Sequence, residues 1–350
     1  MADHLVLHAG LMKSGTSHLQ ALLFANQAHL ADRGVLVPGE TWADQAKAVR
    51  HALSTARGSR WWDSLVTQVR EHSGVAVISM EYLGPAPAGR VRELLAQLGD
   101  PAVRVVFTAR DLNRTLASMW QETVQNGHAW TWEQYVADVQ AMAPTVRTGP
   151  LDRSTPGGAF WRRQGVARIV RTWCEVVGTE QVSFVTVPPP GAPGKVLAER
   201  FRDALGLDLD LTLEVPRSNE SLGLASTLVL RRLNELLDQR GMVFPEGAHV
   251  RKHLLSKTVL AARRGEEPAL GLPVSDWVRV EAAAATAKLQ RLGVRLVGDW
   301  GDLDPVPVAG IDPQAIDQTA VTDAALHALA SLVVEHVRSG VTHNSAPKGA

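Results

Sequence analysis

Short apolar runs alternate with longer stretches of helical spacing through the first half of the chain. His4–Ala9 is a short apolar run that closes at Gly10. Leu19, Leu22, Leu23 and Leu30 then fall near one helical face, predicting a helix over residues 17–33 with Gly34 as its stop. Val75–Met80 and Val103–Thr108 read as buried strands. Leu112, Leu116, Met119, Trp120 and Val124 predict the next helix, with Asp111 as its N-cap and Asn126-Gly127 as its end. Val166, Ile169, Val170, Trp173 and Val177 predict another, stopped at Gly178, and Val182–Val187 is a fourth strand.

Strands separated by helical segments indicate βαβ units, so the expected fold is α/β: a central, mostly parallel sheet flanked by helices. The segments Ala143–Gly158 and Pro188–Gly194 read as loops, the first near a ligand. Beyond about residue 222 the spacing turns helical, over Leu228–Leu237, Asp276–Leu292 and Ala324–Val337. The expected organisation is an α/β core over residues 1–221, a helical extension of the same domain over 222–340, and a flexible tail over 341–350.

Composition narrows the function classes. Hydrophobic residues make up 45 % of the 350 positions and charged residues 21 %, enough apolar material for a packed core and against disorder. Lys and Arg total 36, as do Asp and Glu, so the formal net charge is zero. That balance offers no electrostatic case for nucleic acid as the main partner, while leaving room for a local basic pocket. The single cysteine, Cys174, excludes an internal disulfide and a multi-cysteine zinc site, and its helical place beside Trp173 reads as a small buried hydrophobe. No stretch reaches roughly 18 uncharged apolar residues, and the N-terminus lacks the basic region and apolar core of a signal peptide. The expectation is a cytoplasmic protein with no membrane span.

The most informative segment is Gly10-Leu11-Met12-Lys13-Ser14-Gly15-Thr16-Ser17, which follows the first strand and opens the first helix. Backbone N–H groups in a glycine-containing turn at a positive helix end form an anion cradle. Lys13 adds a point charge, and Ser14, Thr16 and Ser17 add hydroxyls. The order differs from the Walker A loop, where Lys follows the second Gly; here Thr16 follows Gly15 and Lys13 precedes it by two. A second candidate anion site lies after Val103–Thr108. Arg110 stands at that strand end, and Ser118 follows Asp111 by seven residues, almost two helical turns, on one face. An Arg fork and a hydroxyl on such a face suit one phosphate group.

These two segments together resemble the sulfotransferases that use 3′-phosphoadenosine 5′-phosphosulfate (PAPS). Their phosphosulfate loop resembles Lys-Ser/Thr-Gly-Thr-Ser/Thr-x-Leu-Gln, and this chain reads Lys13-Ser14-Gly15-Thr16-Ser17-His18-Leu19-Gln20. Their 3′-phosphate motif is an Arg-Asp at a strand end with a Ser about eight residues on, here Arg110, Asp111 and Ser118. The spacing of Trp173 to Gly178 before a strand, and the segment Arg217-Ser218-Asn219-Glu220-Ser221-Leu222, are also similar to family features. The chain departs from the family at Leu112, where many members have Pro, and at Pro188-Pro189-Pro190, where many carry a polar pair.

The resemblance implies a P-loop-like fold with the helical C-terminal region over the acceptor side. It implies transfer of the sulfuryl group from PAPS to a hydroxyl, or second to that an amine, of a small-molecule or glycan acceptor. The product would be 3′-phosphoadenosine 5′-phosphate (PAP), and the chemistry needs no metal. Lys13, Ser14, Gly15, Thr16 and Ser17 would hold the 5′-phosphosulfate, with Lys13 also stabilising charge on the bridging oxygen. Arg110 and Ser118 would hold the 3′-phosphate, with Arg217 as a further nucleotide contact.

A base must take the acceptor proton. Glu81, at the carboxyl end of the strand Val75–Met80, is the first candidate, since open α/β sheets bind ligands at that edge and a Glu serves there in several relatives. His51 is the second, because histidine is the base in other branches. His8 at the first strand end reads as a structural histidine. Trp61-Trp62, Trp130, Trp132 and Trp161 are candidates for an acceptor wall or for core packing. Two alternatives stand beside the enzyme reading: a P-loop kinase or NTP hydrolase, and a non-catalytic nucleotide-binding protein on the same fold.

Overall fold

In the computed structural model of the protein, residues 2–54, 59–144, 151–206 and 222–344 are described, the last six of these by backbone alone. The chain divides into two units: the first holds residues 1–115, 138–218 and 274–306, the second residues 116–137, 219–273 and 307–350.

Among the described residues, the first unit is built on six strands, β1 (His4–His8), β2 (Val35–Leu36), β3 (Val75–Ser79), β4 (Ala102–Ala109), β5 (Val182–Thr186) and β6 (Arg295–Val297). Their order is β2-β3-β1-β4-β5-β6, and every pair is parallel. The expected α/β class with a parallel sheet is what the chain adopts. Its helices are α1 (Thr16–Ala25), α2 (Gln27–Ala31), α3 (Trp42–Leu53), α4 (Arg60–Glu71), α5 (Ala88–Gln97), the start of α6 (Leu112–Gln125), the end of α7 (Trp132–Ala141), α8 (Pro156–Gln164), α9 (Val166–Val177) and α10 (Val196–Leu205). A later helix, α12 (Asp276–Leu292), precedes β6.

The strands are near-continuous apolar runs because both faces of the sheet are covered, as a parallel sheet requires. Alternation within β1 sends Val6 to one face, where it joins Val77, Val106, Val185, Leu19, Leu23 and Phe201. Leu5 and Leu7 point to the other, with Ile78, Phe107, Phe184, Val170 and Trp173. Helices α1 and α10 therefore pack on one face and α9 on the other. Each fully buried aromatic, such as Phe107 or Trp173, contributes on the order of 2–3 kcal/mol by area removed from water. The Trp173 indole N–H also donates to the Gly84 carbonyl at 3.0 Å, so its one polar atom is matched.

The chain leaves β1 toward β2 and β3 on one side, and leaves β4 toward β5 and β6 on the other. Adjacent strands whose connections depart in opposite directions create a switch point, and a crevice opens at their carboxyl ends. The loops after β1 and β4 both end there.

The second unit carries most of α6, the start of α7, α11 (Leu224–Asp238), a π-helical stretch (His249–Leu260) and α13 (Gln318–Asn344). Buried amides stitch it together. Gln121 Nε2 donates to the Leu222 carbonyl at 2.9 Å, and Asn234 Nδ2 donates to the Val124 carbonyl at 2.8 Å. Arg263 pairs with Glu267 at 3.2 Å and Asp323 at 2.7 Å. Within α13, Gln318–Arg338 is long and apolar enough to cross a membrane by length and composition, with a mean hydropathy of 1.2 and 11 % of that window buried.

Several elements differ from the sequence expectation. The helix expected over 17–33 is two helices broken at Asn26, whose side-chain amide donates to the Leu22 carbonyl at 2.8 Å and closes α1. Strands β2 and β6 have two and three residues, too short to show a period. Residues 274–306, read as part of a helical extension, supply α12 and β6 to the first unit. Helix α8 begins at Pro156, inside the expected loop. Helix α13 ends at Asn344, inside the segment expected to be a tail.

Candidate functional site

The loop between β1 and α1 runs from Ala9 to Gly15. Leu11 N–H donates to the Thr108 carbonyl at 2.9 Å, which fastens the loop to the end of β4. Lys13 and Gly15 both have left-handed backbones, with φ of 65° and 82°. Left-handed residues in a short turn are the backbone conformation from which anion nests are built. At Lys13 this conformation costs about 1–2 kcal/mol, since an L side chain crowds its own carbonyl there. Helix α1 then starts at Thr16 with Gly15 as N-cap and no side-chain cap. The first N–H groups of such a helix have no intrahelical acceptor and sit at the positive end of its dipole. Thr16 is buried, Ser17 is exposed and Lys13 is half-buried.

The space under the loop explains its glycines. A Cβ on Gly10 would lie 2.3 Å from Thr108 Oγ1 and 2.6 Å from His8 Nε2. A Cβ on Gly15 would meet Leu197 of α10 at 2.4 Å.

A buried chain of hydrogen bonds supports the loop from below. His8 Nδ1 lies 2.7 Å from Ser79 Oγ, and His8 Nε2 lies 3.2 Å from Thr108 Oγ1. Thr108 Oγ1 in turn lies 2.9 Å from Ser14 Oγ, and Ser14 Oγ also donates to the Leu11 carbonyl. Burial away from solvent pushes the His8 pKa down to about 3, so its imidazole is neutral and carries one N–H. It therefore donates to one of the two hydroxyls and accepts from the other. The Ser14 hydroxyl is turned into this network, so its side chain props the loop.

Arg110 follows β4 directly. Its Nη2 donates to the Arg114 carbonyl at 2.8 Å, folding the guanidinium along the first turn of α6. Asp111 caps α6: its Oδ1 accepts from the Arg114 N–H at 3.0 Å, and its Oδ2 accepts from Arg114 Nε. Asp111 thus pairs with Arg114 and has no side-chain exposure. Burial, and then the like charge of Arg114, push the Arg110 pKa down to about 10; Asp111 acts in the opposite sense. Arg110 stays cationic through the physiological range.

Glu81 opens the short 3₁₀ turn after β3 and is half-buried. Its Oε2 accepts from Gln20 Nε2 at 2.9 Å, and the same amide donates to the Ser79 carbonyl at 3.1 Å. Glu81 is therefore joined to α1, the helix that begins at the loop. His51 lies on α3 with its ring stacked on Trp61 of α4, centroids 4.9 Å apart. Ser118 lies on α6 in the second unit, whereas Arg110 belongs to the first. Arg217 lies outside the described residues. Trp161 is buried, with its indole N–H donating to the Val139 carbonyl at 2.7 Å. Among the described residues, no group of three or more His, Cys, Asp or Glu is placed to hold a metal ion.

Three residues of this arrangement were assigned no role from the sequence: Gln20, which entered only as the last position of the loop pattern, Ser79 and Thr108. The available signal was a polar side chain at a position the apolar pattern marks as buried. Gln20 sits between Leu19 and Leu22, and Ser79 and Thr108 end apolar strands.

A comparison with solved structures finds this chain similar to the crystal structure of a sulfotransferase from Alicyclobacillus acidocaldarius. The two are 16 % identical, with a TM-score of 0.38, over 75 % of this chain and 99 % of that one. No family model matches the chain, and no curated protein matches it.

Proposed function

We propose that the protein transfers the sulfuryl group of PAPS to a hydroxyl of an acceptor, leaving PAP. One observation carries the reading: a loop with left-handed Lys13 and Gly15, at the uncapped start of α1, stands one strand away from Arg110 at the switch point of a parallel sheet. A nucleotide with phosphates at both ends of its ribose needs two such cationic positions.

In this reading the N–H groups of Gly15, Thr16 and Ser17 and the Lys13 ammonium bind the 5′-phosphosulfate. Arg110 holds the 3′-phosphate, and Ser14 holds the loop in shape. The acceptor oxygen attacks sulfur in line, the bond from sulfur to the 5′-phosphate oxygen breaks, and the electron pair stays on that oxygen. Lys13 stabilises the charge growing there. The acceptor proton goes to the Glu81 carboxylate, which Gln20 orients by one hydrogen bond donated from its side-chain amide. His51, stacked on Trp61, is assigned no proton transfer.

Calorimetric titration tests the reading with PAP, ADP and Mg·ATP. The expected result is tight binding of PAP without metal, at least tenfold tighter than ADP, and weakened by Arg110→Ala. Mg·ATP binding as well as PAP, or no nucleotide binding at all, overturns it.

A further inference from the structure

A cavity of about 200 Å³ lies beside the phosphate loop, within the first unit. Leu11 of that loop forms part of its wall, along with Leu112, Met142, Leu151, Trp161 and Leu303. Gln164, at the end of α8, also lines it and donates from Nε2 to the Met12 carbonyl at 2.9 Å, so cavity wall and loop are held together.

Besides Arg110 after β4, three further cations are set into this apolar frame: Arg168 and Arg171 from α9, and Lys288 from α12. The arginines are three apart and share one helical face. The Arg168 guanidinium donates to the carbonyls of Trp161 at 3.3 Å and Arg162 at 2.9 Å. Among the described residues, no carboxylate pairs with Arg168, Arg171 or Lys288. Two acids border the cavity: Asp111, already paired with Arg114, and Glu281, which is buried. Burial and the like charge of Arg171 push the Arg168 pKa down, and Arg162 beside it is lowered by burial and by Arg163, Arg153 and Arg168. A cluster of mutually repelling cations is relieved by an anion, and a chain of zero net charge has no general need for this local excess.

We propose that this cavity receives the acceptor, and that the acceptor is a hydroxylated, largely apolar molecule carrying one anionic group. The apolar walls take its body. Arg168, Arg171 and Lys288 take its anion by charge-assisted hydrogen bonds. Its hydroxyl extends out of the cavity past Leu11, since Lys13 and Glu81 do not line the cavity itself. The proposal rests on the sulfuryl-transfer reading for the word acceptor, while the charge preference of the cavity stands on its own lining. Arg110 also borders the space, so occupation by the nucleotide itself is the competing outcome.

Three phenols of similar size and different charge test this: 3-(4-hydroxyphenyl)propanoate, neutral tyrosol and cationic tyramine. Each is titrated calorimetrically into the protein with and without saturating PAP. The propanoate is expected to bind about tenfold more tightly than tyrosol, with tyramine weakest, and to keep its affinity when PAP is present. Arg171→Glu and Lys288→Glu, on exposed and half-buried helix positions, should each weaken the propanoate about tenfold and leave tyrosol unchanged. Equal binding of the three phenols, no binding of the propanoate, or its expulsion by PAP overturns the proposal. A protein that fails to bind PAP but keeps the charge order retains the anion-selective cavity and loses only the donor.

Discussion

Gln20 ties Glu81 to α1, the helix that follows the loop Ala9–Gly15, its Nε2 lying 2.9 Å from Glu81 Oε2. The carboxylate after β3 is thus held by one buried amide on the helix that starts after the β1 loop. That amide also donates to the Ser79 carbonyl, so the Gln20 side chain has little freedom to swing away.

Glu81→Gln should lower kcat about 100-fold while leaving PAP affinity unchanged, the size of effect expected from loss of a general base. Gln20→Leu should lower kcat by about tenfold, since it frees the carboxylate without removing it. Steady-state kinetics beside PAP titration separates the two effects. A kcat that survives Glu81→Gln removes Glu81 from the mechanism.

Arg110→Ala should weaken PAP by about 10- to 100-fold and ADP by less than threefold, the loss of a charge-assisted contact to a phosphate only PAP has. Because the Arg110 pKa lies at about 10, its contribution should be level from pH 6 to 9 and fade as pH approaches 10. PAP dissociation constants across that range, for wild type and variant, check both statements.

His8 sets an acid limit on stability. Its folded pKa of about 3 lies below the ordinary histidine value of 6.5, so the folded state favours the neutral ring. That contribution is fully present above pH 6.5 and is lost as pH falls toward 3. Well inside this window one proton costs about 1.4 kcal/mol per pH unit. His8→Gln, which keeps a donor and an acceptor, should flatten this part of the profile. Urea unfolding at pH 8, 6, 5 and 4 measures it, and equal slopes for the two proteins would refute the assignment.

Gly15→Ala should destabilise the fold by about 1–2 kcal/mol and weaken PAP at least tenfold, because φ at this position is 82° and the new methyl meets Leu197. Leu197→Ala added to it should relieve the collision but not the backbone strain. Recovery of full PAP affinity in the double variant would show that the left-handed turn is dispensable.

Asp111→Ala should cost about 3 kcal/mol, since it removes an N-cap and leaves the Arg114 guanidinium without its buried carboxylate. Thermal unfolding beside Arg114→Met checks the pair.

The sequence by itself determined the parallel α/β class, because strands buried on both faces must be nearly continuous apolar runs, and β1, β3, β4 and β5 are such runs. It also named Asp111 as the cap of α6, which is a local bond, and singled out Gly10–Ser17 and Arg110 as candidates, which the fold brings to the ends of the adjacent strands β1 and β4. The break at Asn26 and the strands β2 and β6 were out of reach. A two- or three-residue strand has no period, and it forms only because a neighbouring edge supplies its hydrogen bonds. Tertiary structure alone decided that Ser14 points inward, since its partner Thr108 is 94 residues away. It alone joined Gln20 to Glu81, 61 residues apart, and seated His51 against Trp61. Side-chain direction follows from long-range partners, and a single chain read in order shows where such partners are needed but not which residue answers.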